Sequence, residues 1–194
     1  MTSVLTVVSG LPATGKSTVA SAVAQHTATP YLRVDRIEQA IVAWSSVVHP
    51  VGPVGYAVAH QIAAQQVKLG LDVIVECVNP VAVTRDGWVR TAAAAGAAVV
   101  EVELICSDSA VHRRRVETRP SDVEGLVKPT WQEVESREYE TWSRSHLVFD
   151  TATTGVELIV DRIVASIESA RTRRHPGARN RATPDGYRRP DVSG

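Results

Sequence analysis

The sequence predicts an α/β fold, with one domain in which a five-stranded parallel sheet is covered by helices on both faces. Short apolar, β-branched segments alternate along the chain with longer segments of helical periodicity. The first of these short segments, residues 4–9, runs directly into a glycine-rich loop that opens a helix. Parallel α/β sheets use this order to place a ligand beyond the ends of their strands. A chain of 194 residues with 44% hydrophobic content is sufficient for one such domain.

Each element follows from local pattern and turn residues. Five short apolar segments are predicted as strands, at residues 4–9, 31–34, 72–76, 98–105 and 146–150. Seven helices are predicted around them, at residues 16–26, 36–44, 56–69, 80–95, 108–119, 130–142 and 156–171. Pro30 follows the first helix and Pro120 ends the fifth. Gly70 and Gly96 close the third and fourth helices as C-terminal caps. The proline- and glycine-bearing loop before the third helix is a candidate substrate cover.

The glycine-rich loop carries the strongest functional signal. It reads Gly10-Leu11-Pro12-Ala13-Thr14-Gly15-Lys16-Ser17-Thr18, which matches the phosphate-binding pattern G-x-x-x-x-G-K-[S/T]. In this motif the glycines let the backbone curl around a polyphosphate, the lysine reaches the β- and γ-phosphates, and the serine hydroxyl binds Mg²⁺. The helix N-terminus adds free N–H groups and a favourable dipole. The loop therefore predicts a site for a nucleoside triphosphate with Mg²⁺.

Composition narrows the class further. No apolar run reaches membrane-spanning length and the N-terminus lacks a basic signal-peptide start, so the expected compartment is cytoplasmic, with no membrane partner. Cys77 and Cys106 are expected to be unpaired thiols. Residues 171–194 hold seven arginines and two aspartates, so a net charge of zero hides a basic tail. We expect this tail to be disordered beyond a domain of residues 1–170, and a solvated terminus is favoured over a contact with nucleic acid.

Further segments after the strands carry a family resemblance. Val34-Asp35-Arg36 follows the second strand, and Glu76-Cys-Val-Asn-Pro80 with Arg85 follows the third. Arg113, Arg115 and Arg119 precede a polar segment, and Phe149-Asp-Thr-Ala152 ends the last strand. Over residues 3–168 the chain resembles the small P-loop kinases of the nucleoside-kinase-like class, above all adenylylsulfate kinase, chloramphenicol phosphotransferase and the actinobacterial kinases called AAA family ATPases. The resemblance implies a three-layer P-loop kinase fold with a short lid at about residues 113–130.

The resemblance also implies catalytic and metal-binding roles. Asp35 would take or orient the proton of the acceptor hydroxyl, although an aspartate here also suits a helix N-cap. Arg115 and Arg119, one turn apart, would act with Lys16 on the transferring phosphoryl group. Glu76 would hold Mg²⁺ with Ser17, or would be a solvated acid at a strand end.

The acceptor side is predicted less sharply. Arg85 would position the acceptor, because it has the same spacing from Pro80 as an arginine that lines the acceptor site of adenylylsulfate kinases. Cys77 and Asn79 replace the phenylalanine and serine of that family. Further predicted contacts with the acceptor are Asp35, Arg36, Tyr56 and His60. For His60 the alternative is a purely structural role.

Together these residues predict an enzyme that uses ATP and Mg²⁺ to phosphorylate a hydroxyl of a small molecule, such as a nucleoside, a sugar-like metabolite or an antibiotic. One alternative is a polynucleotide 5′-hydroxyl kinase or a zeta-toxin-like sugar-nucleotide kinase. An alternative of another class is a nucleotide-binding switch or regulatory NTPase without an acceptor. The acceptor, the preferred base and the oligomeric state do not follow from the sequence.

Overall fold

A computed structural model describes residues 2–120, 125 and 128–172, and its five strands form a single sheet. The strands are β1 (Val4–Ser9), β2 (Tyr31–Arg33), β3 (Val73–Glu76), β4 (Ala98–Ile105) and β5 (Leu147–Asp150). They lie in the order β2-β3-β1-β4-β5 and pair in parallel throughout. The predicted α/β fold is confirmed. In this register Val8 lies opposite Glu76 and Ser9 opposite Glu103, so the ends of three strands meet at one edge.

Helices cover the sheet and begin close to where the sequence predicts them. In the described part of the chain they are α1 (Lys16–Thr27), α2 (Val34–Trp44), α3 (Val54–Lys68), α4 (Ala82–Ala94), α5 (Ser109–Thr118), α6 (Trp131–Glu135) and α7 (Val156–Thr172). Gly70 and Gly96 follow α3 and α4 with φ of 86° and 70°, a left-handed conformation that favours glycine after a helix. The Asp108 carboxylate caps α5, and Thr130 forms a capping box with Glu133 on α6. None of the described helices is long and apolar enough to span a bilayer.

The sheet separates two hydrophobic cores because successive strand residues point to opposite faces. Val4 and Val8 of β1 pack with α1 and α7 on one side. Leu5 and Val7 pack with α3 and α4 on the other. Burial of each such side chain is worth about 1.5–3 kcal/mol. Because helices pack on both of its faces, the sheet fixes the positions of the residues that follow its strands.

The helix predicted at residues 130–142 is wrong beyond its first turns. α6 ends at Glu135, and residues 136–146 form an irregular connection to β5. The Glu140 amide donates to the Pro80 carbonyl at 2.8 Å, and Arg85 donates to the Glu140 carbonyl at 2.7 Å. Tyr139 and Trp142 then pack on the Arg85 guanidinium, whose carbon lies 5.0 and 4.3 Å from their ring centroids. These tertiary contacts override the local helix preference.

The last helix extends slightly past the predicted domain boundary. α7 reaches Thr172, and Arg171, counted above with the tail, forms an ion pair with Asp72 at the start of β3. Asp72 also accepts from the Val4 amide at 2.8 Å, which ties α7 to the amino end of the sheet. The rest of the predicted tail, residues 173–194, lies outside the described residues.

Candidate active site

A cavity of about 1120 Å³ lies at the carboxyl ends of the strands, where open α/β sheets bind ligands. Its walls come from the phosphate-binding loop, α2, the loop before α3, α5, residues 128–137 and the β5–α7 turn. His49 and Pro50 place the predicted covering loop against this cavity. The cavity brings together most of the predicted site residues, namely Pro12, Ala13, Gly15, Lys16, Ser17, Thr18, Asp35, Glu76, Arg115 and Arg119.

The phosphate-binding loop is closed by its own backbone. The Leu11 carbonyl accepts from the Thr14 hydroxyl at 2.9 Å and from the Lys16 ammonium at 2.8 Å. Gly10 has a φ of +142°, and a Cβ there would lie less than 3.0 Å from the Leu104 carbonyl oxygen, so a side chain does not fit. Gly15, with a φ of 92°, precedes α1 and turns the chain into it. The first N–H groups of α1, which have no carbonyl one turn back, therefore belong to the cavity wall.

Lys16 is a buried cation in this wall, with 7% of its surface exposed. Burial lowers the pKa of its ammonium, Glu76 and Asp35 offset part of that effect, and Arg119 adds to it. All three side chains are thus within electrostatic reach of Lys16. A polyphosphate beside the ammonium would compensate for its lost hydration.

Ser17 and Glu76 meet at the end of β3. The Ser17 hydroxyl donates to Glu76 Oε1 at 2.7 Å, and the carboxylate, 4% exposed, also contacts the Tyr31 hydroxyl and Arg33 Nε, the latter at 3.1 Å. Hydroxyl and carboxylate oxygens are the ligand atoms that Mg²⁺ prefers. The ion commonly binds one or two protein oxygens in addition to substrate phosphates. The donor set therefore fits a magnesium ion bound with a triphosphate. The alternative of a solvated strand-end acid does not hold, because Glu76 is buried.

Asp35 lies in the first turn of α2, which begins one residue before it. Arg33 occupies the N-cap position and no side chain caps this helix, so the alternative role of Asp35 as the N-cap is wrong. Val34 beside it is 2% exposed and anchors this turn in the core. The Asp35 side chain lines the cavity together with Lys16.

Glu38, one turn after Asp35, is a cavity residue that the sequence analysis missed. Burial is the main cause that raises its pKa to about 7, the Asp35 carboxylate adds to the shift, and Arg137 opposes it. The signal was available, because a spacing of three residues puts two side chains on the same face of a helix.

Arg115 ties α5 to the turn after β5. Its guanidinium donates to Thr151 Oγ1 at 2.8 Å and to the Thr151 carbonyl at 2.9 Å. Thr151 Oγ1 donates in turn to the Thr14 carbonyl at 3.0 Å. Helix α5, the turn between β5 and α7, and the phosphate-binding loop are therefore linked by hydrogen bonds. These bonds hold the guanidinium at the Thr151 side of the cavity. Its action on the transferring phosphoryl group stays a prediction.

Arg119 lies just after α5 rather than within it. Its φ of −61° is helical and its N–H donates to the Arg115 carbonyl at 3.1 Å, whereas its ψ of 137° ends the helix, because Pro120 disfavours the helical conformation of the residue before it. Arg119 therefore keeps the predicted spacing of one turn from Arg115, and both side chains line the cavity. Lys128 donates to the Arg119 carbonyl at 2.7 Å and adds another cation to the cavity lining. Of the predicted lid, residues 121–124, 126 and 127 lie outside the described residues.

His112 is a second residue that the sequence analysis missed. It is buried in α5 and its Nε2 lies 2.8 Å from the Pro12 carbonyl, to which it donates when that nitrogen is protonated. Its ring meets Trp131 edge-on at 5.3 Å, and a small apolar cluster of Ala13, Val116 and Val134 surrounds this contact. The phosphate-binding loop is thus packed against α5 and α6.

Arg85 lies outside the cavity lining. It is 2% exposed and donates to the carbonyls of Asn79 at 3.1 Å, of Pro80 at 3.0 Å and of Glu140 at 2.7 Å. Its donors thus hold the connection of residues 136–146 against the end of β3. This placement does not support the predicted role in positioning the acceptor.

Of the further predicted acceptor contacts, Asp35 lines the cavity, whereas Arg36, Tyr56 and His60 lie outside its lining. Tyr56 is partly buried, and its hydroxyl accepts from the Asn79 amide at 3.0 Å. His60 packs on the buried Trp88 with ring centroids 3.8 Å apart, and its Nδ1 lies 2.9 Å from the Thr91 hydroxyl. Arg36 is exposed on α2. Tyr56 and His60 therefore contribute to the packing of α3 on α4. For His60 this is the structural role given above as the alternative.

Solved structures share this fold. A protein of Chloroflexus aurantiacus provisionally described as a kinase matches with a TM-score of 0.70 at 20% identity, covering 87% of this chain and 98% of that chain. The APS kinase CysC of Mycobacterium tuberculosis, in complex with AMPPNP and APS, matches at 0.65 and 16%, covering 86% and 98%. A gluconokinase from Sinorhizobium meliloti matches at 0.61 and 18%, covering 88% and 94%. At such identities the likeness shows the fold alone.

The sequence comparisons settle the family. Curated protein sequences gave no significant match. The profile of the AAA domain family AAA_33 matches residues 5–140, which is well over half of the chain and spans the phosphate-binding loop, Asp35, Glu76, Arg115 and Arg119. The chain therefore belongs to the AAA domain family AAA_33, with a P-loop kinase-like fold.

Proposed function

We propose that the protein is an ATP-dependent phosphotransferase that moves the γ-phosphate to a hydroxyl group of a small molecule. The observation that carries this proposal is the placement of Asp35 in the same cavity as Lys16, Ser17 and Glu76. A phosphate-binding loop alone serves any nucleotide-binding protein. A carboxylate opposite its lysine, within a cavity large enough for two substrates, is what transfer to an acceptor hydroxyl requires.

On the donor side, the loop and Lys16 bind the triphosphate. The N–H groups at the start of α1 and the Lys16 ammonium neutralise its β- and γ-phosphates. When bound between Ser17, Glu76 and the phosphates, Mg²⁺ would offset the negative charge that builds up on the leaving group. Arg119, whose charge acts on Lys16, and Lys128 add positive charge to the cavity lining.

On the acceptor side, Asp35 acts as the base. The acceptor oxygen forms a bond to the γ-phosphorus, the bond from that phosphorus to the β–γ bridging oxygen breaks, and the hydroxyl proton passes to the Asp35 carboxylate. ADP and a phosphate monoester are the products. Because phosphoryl transfer depends mainly on alignment and charge neutralisation, the proton acceptor is one of few groups that the protein must supply beyond the phosphate site.

Asp35→Asn tests this assignment. The variant keeps size and hydrogen bonding but removes the proton acceptor, so kcat should fall by about 10²–10⁴-fold while the KM for ATP changes little. Steady-state kinetics with the best acceptor from a panel of nucleosides, sugars and amino alcohols gives both constants. Asp161→Asn, an exposed residue of α7, is the matched control and should retain wild-type kinetics. Near-normal kcat in Asp35→Asn would remove Asp35 from the role of base.

A further inference from the structure

We propose that Glu38 is a second acceptor-binding residue, which with Asp35 selects a polyhydroxy acceptor that carries no anionic group. The inference rests on the proposed function and names the class of acceptor for the same cavity. It is carried by the position of Glu38, by the absence of a hydrogen bond or close ion pair to its carboxylate among the described residues, and by a glycine that makes room for it.

Asp35 and Glu38 form a pair of carboxylates on one helix. They lie three residues apart in α2, a spacing that brings Cβ atoms to about 5–6 Å from each other, and both line the cavity. Among the described residues, neither carboxylate takes part in a hydrogen bond or a close ion pair. Their oxygens are therefore available to accept from a ligand, and two neighbouring hydroxyls match two acceptors at this separation.

Gly55 in the first turn of α3 makes the space that Glu38 occupies. A Cβ at Gly55 would lie 2.8 Å from Glu38 Oε1 and closer still to Glu38 Cγ. Gly55 lies within a helix, so the backbone does not require glycine at this position. The glycine thus serves the Glu38 side chain, and an alanine there would displace the carboxylate without removing its charge.

The cavity lining carries charges of both signs. Lys16, Arg119 and Lys128 come from the phosphate-binding loop, the end of α5 and the segment before α6, whereas Asp35 and Glu38 lie together on α2. Burial is the main cause that raises the pKa of Glu38, and the neighbouring Asp35 carboxylate raises it further, so the pair disfavours an added negative charge. Arg137 faces Glu38 from the segment after α6 and offsets only part of it. A carboxylate or sulfate on the acceptor would add a further negative charge, whereas hydroxyl or ammonium groups would donate to both acids.

The test uses acceptors matched in carbon skeleton, each neutral sugar or alditol being paired with its sugar acid. Transfer of label from γ-labelled ATP is measured for the wild type, Glu38→Gln and Gly55→Ala, with Glu135→Gln on the exposed side of α6 as the control. The wild type should prefer the neutral member at least ten-fold in kcat/KM. Glu38→Gln and Gly55→Ala should each raise the KM for the neutral acceptor about ten-fold and narrow that preference, with the KM for ATP unchanged.

The two possible failures are distinguishable. Equal or better transfer to the sugar acids by the wild type, or unchanged acceptor KM values in both variants, would overturn this inference and leave the phosphotransferase intact. Absence of transfer to every acceptor by the wild type would overturn the proposed function and the inference with it. Unfolding curves of the two variants, compared with the wild type, separate lost recognition from lost folding.

Discussion

The half-buried Glu38 carboxyl links the candidate site to the stability of the fold. Its pKa is raised from 4.5 to about 7, so between these values the folded protein binds more protons than the unfolded chain. Its contribution to the free energy of unfolding is therefore present below about pH 4.5 and is lost as the pH rises through 7. Glu38→Gln removes this titration.

We expect the melting temperature of the wild type, relative to Glu38→Gln, to fall between pH 5 and pH 8. Thermal unfolding of both proteins across that range measures the difference, and Glu135→Gln should run parallel to the wild type. A difference that stayed constant or grew with pH would mean that Glu38 does not titrate near 7 in the folded protein.

Position 10 accommodates no side chain larger than the hydrogen of glycine. Gly10→Ala would place a Cβ less than 3.0 Å from the Leu104 carbonyl, in a left-handed conformation. Gly52→Ala is the matched control, because Gly52 has a φ of +66° but no atom within 4 Å of its Cβ position. The left-handed backbone alone costs an alanine about 1–2 kcal/mol at either position. Gly10→Ala adds a steric clash, so its loss of unfolding free energy in urea denaturation should exceed that of Gly52→Ala by at least about 2 kcal/mol. Equal losses would show that the loop gives way around Gly10.

At this scale the sequence predicts the loop well and the rest of the cavity unevenly. Lys16, Ser17 and Glu76 follow from a motif and from strand ends, because chemistry there dictates residue type and spacing. Glu38 and His112 also lay on helix faces shared with predicted residues, but nothing local distinguishes a cavity carboxylate from a solvated one. Arg85 and Tyr56 were predicted as ligand contacts, whereas their partners are backbone groups brought close only by the fold.

At the scale of elements, the connection of residues 136–146 is held by buried charge. Arg144 donates to Glu101 through Nε and Nη2, both at 2.6 Å, and to Asp86 at 2.5 Å. The side chains of Arg144 and Glu101 are 31% and 6% exposed. Removal of the arginine would leave the Glu101 carboxylate buried without its cation.

Arg144→Ala should therefore lower the free energy of unfolding by about 3 kcal/mol. Arg113→Ala breaks an ion pair with Glu117 whose side chains are 60% and 50% exposed, and should cost far less than Arg144→Ala, because solvent screens this pair. Urea denaturation of the two variants gives both values. Similar losses would contradict the view that Arg144 anchors this connection.

The same connection explains why α6 is short. Residues 130–142 have a helix cap and a helix-compatible composition, from which a full helix was predicted. The bonds from Glu140 and Arg85 and the packing of Trp142 involve residues more than 50 positions away in sequence. Such contacts are invisible to local pattern, so element ends are less predictable than the elements themselves.

At the scale of the molecule, sheet and helices were predictable because both faces of the sheet are buried. Continuous apolar strands, apolar stripes on the helices and glycine caps all indicate the same architecture. Because these separate sequence signals agree, the fold is predictable from the sequence. The architecture in turn positions the candidate active site, since parallel strands bring Lys16, Asp35 and Glu76 to one edge. The proposed acceptor contact Glu38 does not follow from the architecture in this way, because no motif marks it.

The most direct test is transfer of ³²P from γ-labelled ATP in the presence of Mg²⁺ to a panel of neutral polyhydroxy acceptors, with Lys16→Ala as the blank. Loss of this one cationic contact should reduce transfer by 10²–10³-fold or more, by analogy with other charge-stabilising donors. Lys68→Ala, an exposed lysine at the end of α3, controls for loss of charge. We predict a labelled phosphate monoester from the wild type and Lys68→Ala, and none above background from Lys16→Ala. Nucleotide binding by the wild type with no labelled product from any acceptor would contradict the account and favour a nucleotide-binding switch.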